Sequence, residues 1–151
     1  MRTWVSRPTG VHAGALAERF RLEEWLFALA AGAVTGFIIL GVGGRIAMRL
    51  FALHTGARPG MSLGGTTTVI AMGVVSGVAG AIIRAAAAAS LPRQLPAAIG
   101  SAIFAIACLL LTLRGLKPVD AARATYFFPL TVAYIIAFEL AWRRRKVARR
   151  L

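Results

Sequence analysis

The sequence predicts an all-α membrane protein, a polytopic bundle of four transmembrane helices folded as two helical hairpins. Three observations carry that prediction. Of 151 residues, 58% are apolar and 15% charged, and the mean hydropathy is +0.74; a water-soluble fold would need a larger polar shell. Four apolar stretches of similar length follow one another, each long enough to cross the roughly 30 Å hydrocarbon core at about 1.5 Å per residue. The basic residues gather in the connections and tails between them. One membrane domain, residues 25–142, takes up most of the chain, with a polar segment 1–24 before it and a basic tail 143–151 after it.

The net charge of +13 comes from 18 Lys and Arg against 5 Asp and Glu. On a soluble protein that balance would suggest nucleic acid. Here no basic face is interleaved with aromatics, so nucleic acid is not expected as a partner. Charge in loops and tails points instead to topology and to anionic lipid.

Residues 1–24 are polar, with Pro8 and Gly10 arguing for an irregular start. From Gly14, GALAERFRLEEW reads either as a short interfacial helix or as an extension of the first membrane helix. The run that begins at Trp25 is too long for the apolar region of a cleaved signal, so it reads as a retained anchor. That first helix is expected over 25–44, with a possible exposed end as far as Leu53. Its Gly32 and Gly36 form a GxxxG pair, and Gly43 falls seven residues on, near the same face. The second helix, 66–84, repeats the device with Gly73, Gly77 and Gly80. Glycines at these spacings leave grooves where another backbone can come close, so the two helices should form a tight antiparallel hairpin. The loop HTGARPGMSLGG between them shows no mark of regular structure.

After Arg84 an alanine run continues the helix until SLPRQLP breaks it, and Pro96 suits the opening turn of a third helix. That helix, 95–113, is uncharged, with Ala97, Ser101, Ala105 and Cys108 as a small-residue stripe. Pro118 stands where the next helix can start. The fourth, 124–142, carries Tyr126, Phe127, Phe128 and Trp142 as aromatic belts near its two ends. Cys108 is the only cysteine, which excludes a disulfide within the chain.

With four spans, the N-terminus, the second connection and the C-terminus share one side, which holds twelve of the 18 Lys and Arg. The positive-inside rule then predicts both termini in the cytoplasm of a bacterial inner membrane.

Few groups are placed to do chemistry. Arg45 and Arg49 lie one turn apart and, with Arg143, Arg144 and Arg145, are the expected contacts to lipid phosphate or another anion, unless the first two simply snorkel at a helix end. Glu139 is the one carboxylate inside a predicted span, and Arg84 lies at a similar depth. An intramembrane ion pair between them would neutralise two groups that are costly in lipid. His12 and His54 lie outside the spans, so no membrane histidine is available to ligate haem, pigment or metal. Neither a Ser–His nor a paired-carboxylate arrangement can be assembled within the spans. GVGG at Gly41 fails the dinucleotide-binding pattern, since Ile46 occupies the last glycine position.

GGRIAMR at Gly43–Arg49, followed by SLGGTTTVIAMGVVSGVAGAIIR and LP, resembles small four-helix membrane proteins of high-GC bacteria. Those carry a GGRxxMR segment, a Gly-rich second helix and the same short proline turn. The resemblance spans about Gly32 to Pro96, implies the fold, and brings no assigned activity. The function expected is therefore that of a non-enzymatic accessory or structural subunit. It would meet membrane lipid and other integral subunits of a larger complex, of respiratory or photosynthetic type. The competing readings are a small homo-oligomeric transporter or channel using Glu139 and Arg84, and a lipid-binding regulator acting through its cationic tail.

Overall fold

The computed structural model describes residues 11–57, 62–92, 96–116 and 120–148, with side chains from residue 22 onward except that of Lys146. Helix α1 spans Val11–Thr35, a π-helical segment spans Gly36–Val42, and α2 spans Gly43–His54. Then come α3 (Leu63–Ser90), α4 (Ala97–Gly115) and α5 (Ala121–Ala148). No strand occurs among the described residues. Four helical stretches are long and apolar enough to cross a membrane: Leu22–His54, Leu63–Ser90, Ala97–Gly115 and Ala121–Arg145. The protein is a four-helix, multi-pass membrane protein.

The first, second and fourth helices extend beyond their expected ends, and the third, expected over 95–113, spans Ala97–Gly115. The first span does not stop at Gly44; it runs unbroken from Val11 to His54. Residues 14–24 are thus an extension of the first span rather than a separate helix. Its apolar part, 33 residues, measures about 50 Å and exceeds the roughly 30 Å core, so it must tilt or project beyond the hydrocarbon. The second span begins at Leu63 rather than 66 because Ser62 is its N-cap: the Ser62 hydroxyl accepts from the Gly65 amide at 3.0 Å, satisfying one of the orphan donors of a first turn. The alanine run carries α3 to Ser90, where Pro92 stops it. The fourth span opens at Ala121, with the Asp120 carboxylate accepting from the Ala122 amide at 3.3 Å, and continues through the arginines to Ala148. The residues read as a tail from 143 are helical as far as 148; Pro118 lies outside the described residues.

The glycines of the first hairpin meet backbone to backbone. A Cβ placed on Gly32 would overlap Ala81 Cβ and the Gly77 carbonyl at 2.6 Å each, and one on Gly36 would lie 2.7 Å from Gly77 Cα. One on Gly73 would overlap the Gly41 backbone. Gly43, expected on this face, is not there: its neighbour is the Leu130 side chain of α5, 2.9 Å from a built Cβ. The π-helical segment causes the change. Its hydrogen bonds reach five residues back, as from the Gly43 amide to the Ile38 carbonyl, so the face that holds Gly36 next presents Gly41 and then Gly44. Gly44 stands opposite Val69. Gly80 likewise leaves the hairpin seam and faces Tyr134 and Phe104.

The core lies where all four spans meet, around Ala28, Ala81, Phe104, Tyr134 and Phe138, each at most 2% exposed. Helix α4 enters it through Gly100, Phe104 and Cys108. Of the stripe expected from Ala97, Ser101, Ala105 and Cys108, Cys108 is buried, while Gly100 and Phe104 take the places expected for the other three, because the large ring of Phe104 buries more apolar area than any of them.

Candidate functional site

Near the end of the bundle that holds the Pro92 turn, α3, α4 and α5 enclose two charged side chains. Arg84 is 3% exposed and Glu139 8%. The Arg84 Nε donates to Glu139 Oε1 at 2.6 Å, a short charge-assisted contact. The Arg84 Nη2 donates to the Ser101 hydroxyl at 3.4 Å, and that hydroxyl donates to the Ala97 carbonyl. Above the guanidinium lies the Trp142 ring, 5.2 Å from Cζ to centroid, within cation–π range. Gly100 lets α4 approach: a Cβ there would stand 3.2 Å from Arg84 Nη1.

The sequence spacing explains how the network is built. Thr131, Tyr134, Phe138 and Trp142 recur on one face of α5, and all are buried. Glu139 follows Phe138 and turns toward α3. Phe138 stacks on Trp142 at 6.2 Å and meets Phe104 at 5.3 Å. Tyr134 donates its hydroxyl proton to the Gly77 carbonyl at 2.7 Å, and Thr112 pairs with Thr131 at 2.9 Å. Tyr134, Phe104 and the threonine pair carry no charge or motif that marks them in the sequence, and Trp142 stands out there only as a belt residue. The i, i+4 spacing of Tyr134, Phe138 and Trp142 was the available signal.

The arginine candidates separate into two groups. Arg143 Nε lies 3.8 Å from Glu139 Oε2, with the Arg143 side chain 70% exposed. Arg145 Cζ sits 4.2 Å from the Phe27 ring centroid and ties α5 to α1. Two of the three arginines expected in a lipid-facing tail thus contact the bundle itself, since the helix continues past Trp142 and places Arg143 four residues from Glu139. Arg144 is exposed. At the opposite end, Arg49 is exposed and Arg45 half-buried on α2. Asp120 caps α5 and forms no ion pair with Arg49 among the described residues.

In the other half of the bundle the four spans part around a cleft of about 610 Å³. It runs along α3 from Thr68 to Gly80, with Cys108, Leu111 and Thr112 of α4 opposite. Among the described residues no three His, Cys, Asp or Glu side chains come together as a metal site would need. No protein-family model, curated protein or solved structure matches the chain, so the functional reading rests on this geometry.

Proposed function

We propose that this chain is a non-catalytic accessory subunit of a larger complex in a bacterial inner membrane, with both termini in the cytoplasm. The observation that carries the proposal is the enclosure of Arg84 and Glu139. The carboxylate expected inside the membrane is held at 2.6 Å by an arginine, under a tryptophan and beside an aromatic stack. A group held this way locks three helices together and is poorly placed to load and release an ion. The outward faces are aliphatic, with Val34, Ile38, Val75, Ile106, Leu110 and Ile136 all exposed. Glycines 32, 36, 73 and 77 are used inside the chain, so a partner would meet these aliphatic ridges and surrounding lipid. The host would be a respiratory or photosynthetic assembly, to which the chain adds packing surface and no histidine-ligated cofactor.

The test is purification of the tagged native protein in mild detergent, with mass spectrometry of what accompanies it. Integral membrane polypeptides at a fixed ratio support the subunit reading. A homo-oligomer without other subunits sinks it in favour of transport.

A further inference from the structure

We infer that the cleft between α3 and α4 is a binding site for one acyl chain of an anionic phospholipid, drawn from the leaflet on the side of the 55–62 connection. Length and closure identify the occupant. The cleft lines α3 from Thr68 to Gly80, about 18 Å at 1.5 Å per residue, close to the roughly 15 Å of one leaflet's hydrocarbon. It then ends blind. Tyr134, 2% exposed and bonded to the Gly77 carbonyl, forms its floor with Phe104 beneath, and the aromatic stack fills the rest of the bundle. A partner's membrane helix spans both leaflets and would be stopped halfway. A single lipid chain reaches the bilayer centre and ends there.

Charge at the mouth selects the headgroup. Arg49 follows the cleft residue Met48, and Arg114 precedes Gly115 and Leu116, which also line it. Both arginines are exposed, and neither forms an ion pair among the described residues. The described charges at this end are four arginines, Arg45, Arg49, Arg114 and Arg123, against the single carboxylate Asp120. Arg123 leans over the Phe51 ring at 5.9 Å. A phosphate at the membrane surface meets a cationic rim while its chain enters an apolar slot, the arrangement expected for headgroup-selective lipid binding.

The test uses the purified chain in bilayers of equimolar dioleoyl-phosphatidylglycerol and dioleoyl-phosphatidylcholine, transferred to detergent, with retained lipid counted by native mass spectrometry. Wild type should keep one phosphatidylglycerol per chain, at least tenfold above phosphatidylcholine. The double variant Arg49→Gln/Arg114→Gln should bring the two lipids to near parity. Ser76→Phe, which places a ring inside the cleft, should lower retention of both at least tenfold with helicity unchanged. Should Ser76→Phe misfold, Leu111→Trp gives a second reading: brominated-chain phosphatidylglycerol should quench its added fluorescence more than the brominated phosphatidylcholine does. Equal retention of the two lipids by wild type, or full retention in Ser76→Phe, overturns the site. So does a co-isolated polypeptide that Ser76→Phe displaces. The inference is independent of the subunit reading: a chain that co-purifies at fixed ratio yet keeps no lipid sinks this site alone, and a solitary chain that keeps lipid sinks the subunit reading alone.

Discussion

Replacing Gly77 with alanine should be the most informative single change in the bundle. A Cβ at that position would overlap the Gly32 carbonyl and lie 2.7 Å from Gly36 Cα, and both are backbone atoms that no rotamer change can move. Ordinary contact begins near 3.4 Å, so the first two spans must separate by roughly 1 Å, which loosens the neighbouring Gly36–Gly73 and Gly41–Gly73 approaches as well. The same residue's carbonyl accepts the Tyr134 hydroxyl at 2.7 Å, and that bond moves with it. Overpacking costs about 1–3 kcal/mol and an interhelical hydrogen bond in a membrane protein about 0.6 kcal/mol. The expected loss is about 2–3 kcal/mol, or about 30- to 150-fold in the unfolding constant at 1.4 kcal/mol per factor of ten. Reversible unfolding in mixed micelles, followed by circular dichroism, measures it. Gly64→Ala is the control: it sits in the first turn of α3 with nothing within 4 Å of a built Cβ, and alanine's better helix propensity makes it neutral or slightly stabilising. If Gly77→Ala matched Gly64→Ala within about 0.5 kcal/mol, the error margin for independent sites, the close backbone approach would be refuted.

Other changes probe other parts of the bundle. Glu139→Gln leaves Arg84 buried without its carboxylate and should destabilise by about 3–5 kcal/mol, whereas the charge-free Arg84→Met/Glu139→Gln should recover most of that loss in the same unfolding assay. Since the single variant damages the fold under any functional reading, flux or complex-association assays should use the double variant, which an accessory subunit tolerates. Tyr134→Phe removes one hydroxyl bonded to the Gly77 carbonyl and should cost about 0.5–1.5 kcal/mol; a cost near zero would remove that bond as a helix tie. Deleting the exposed Ile38 should convert the π-helical segment to α-helix with the downstream register kept and a stability loss within about 1 kcal/mol. Deleting Ile82 should instead rotate the rest of α3 by about 100°, carry Arg84 away from Glu139 and abolish the folded bundle in detergent.

The membrane class, the number of spans and the two helix breaks at the proline turn and the first hairpin loop were legible in the sequence. They depend on local hydropathy and on Pro, Gly and cap chemistry. The seam between the first two spans was half legible. Gly32, Gly36, Gly73 and Gly77 follow an α-helical period, but Gly41 replaces Gly43 because the backbone carries an extra residue through a π-helical segment, and no residue type in GFIILGV announces that. Gly80, and the α4 face apart from Cys108, depart from the expected pattern for a related reason. A period shows that a face exists, while which neighbour fills it depends on how bulky Tyr134 and Phe104 seat themselves across the bundle.

Arg84 and Glu139 show the same division at the candidate site. Each is conspicuous in a sequence as a charge in an apolar run, and the cost of burying charge makes a partner necessary. Their approach to 2.6 Å under Trp142 joins residues 55 positions apart, a distance set by how α3, α4 and α5 cross. The cleft was invisible beforehand, since an unfilled volume belongs to no residue. By itself, then, the sequence determined that the chain folds as four membrane helices, because hydrophobic length and backbone hydrogen bonding leave no other way to place it in a bilayer. Tertiary structure decided that Gly41 rather than Gly43 enters the seam, that Gly80 leaves it, how closely Arg84 and Glu139 approach, and where space is left, because those depend on helix rotation and on close packing among residues far apart in the chain.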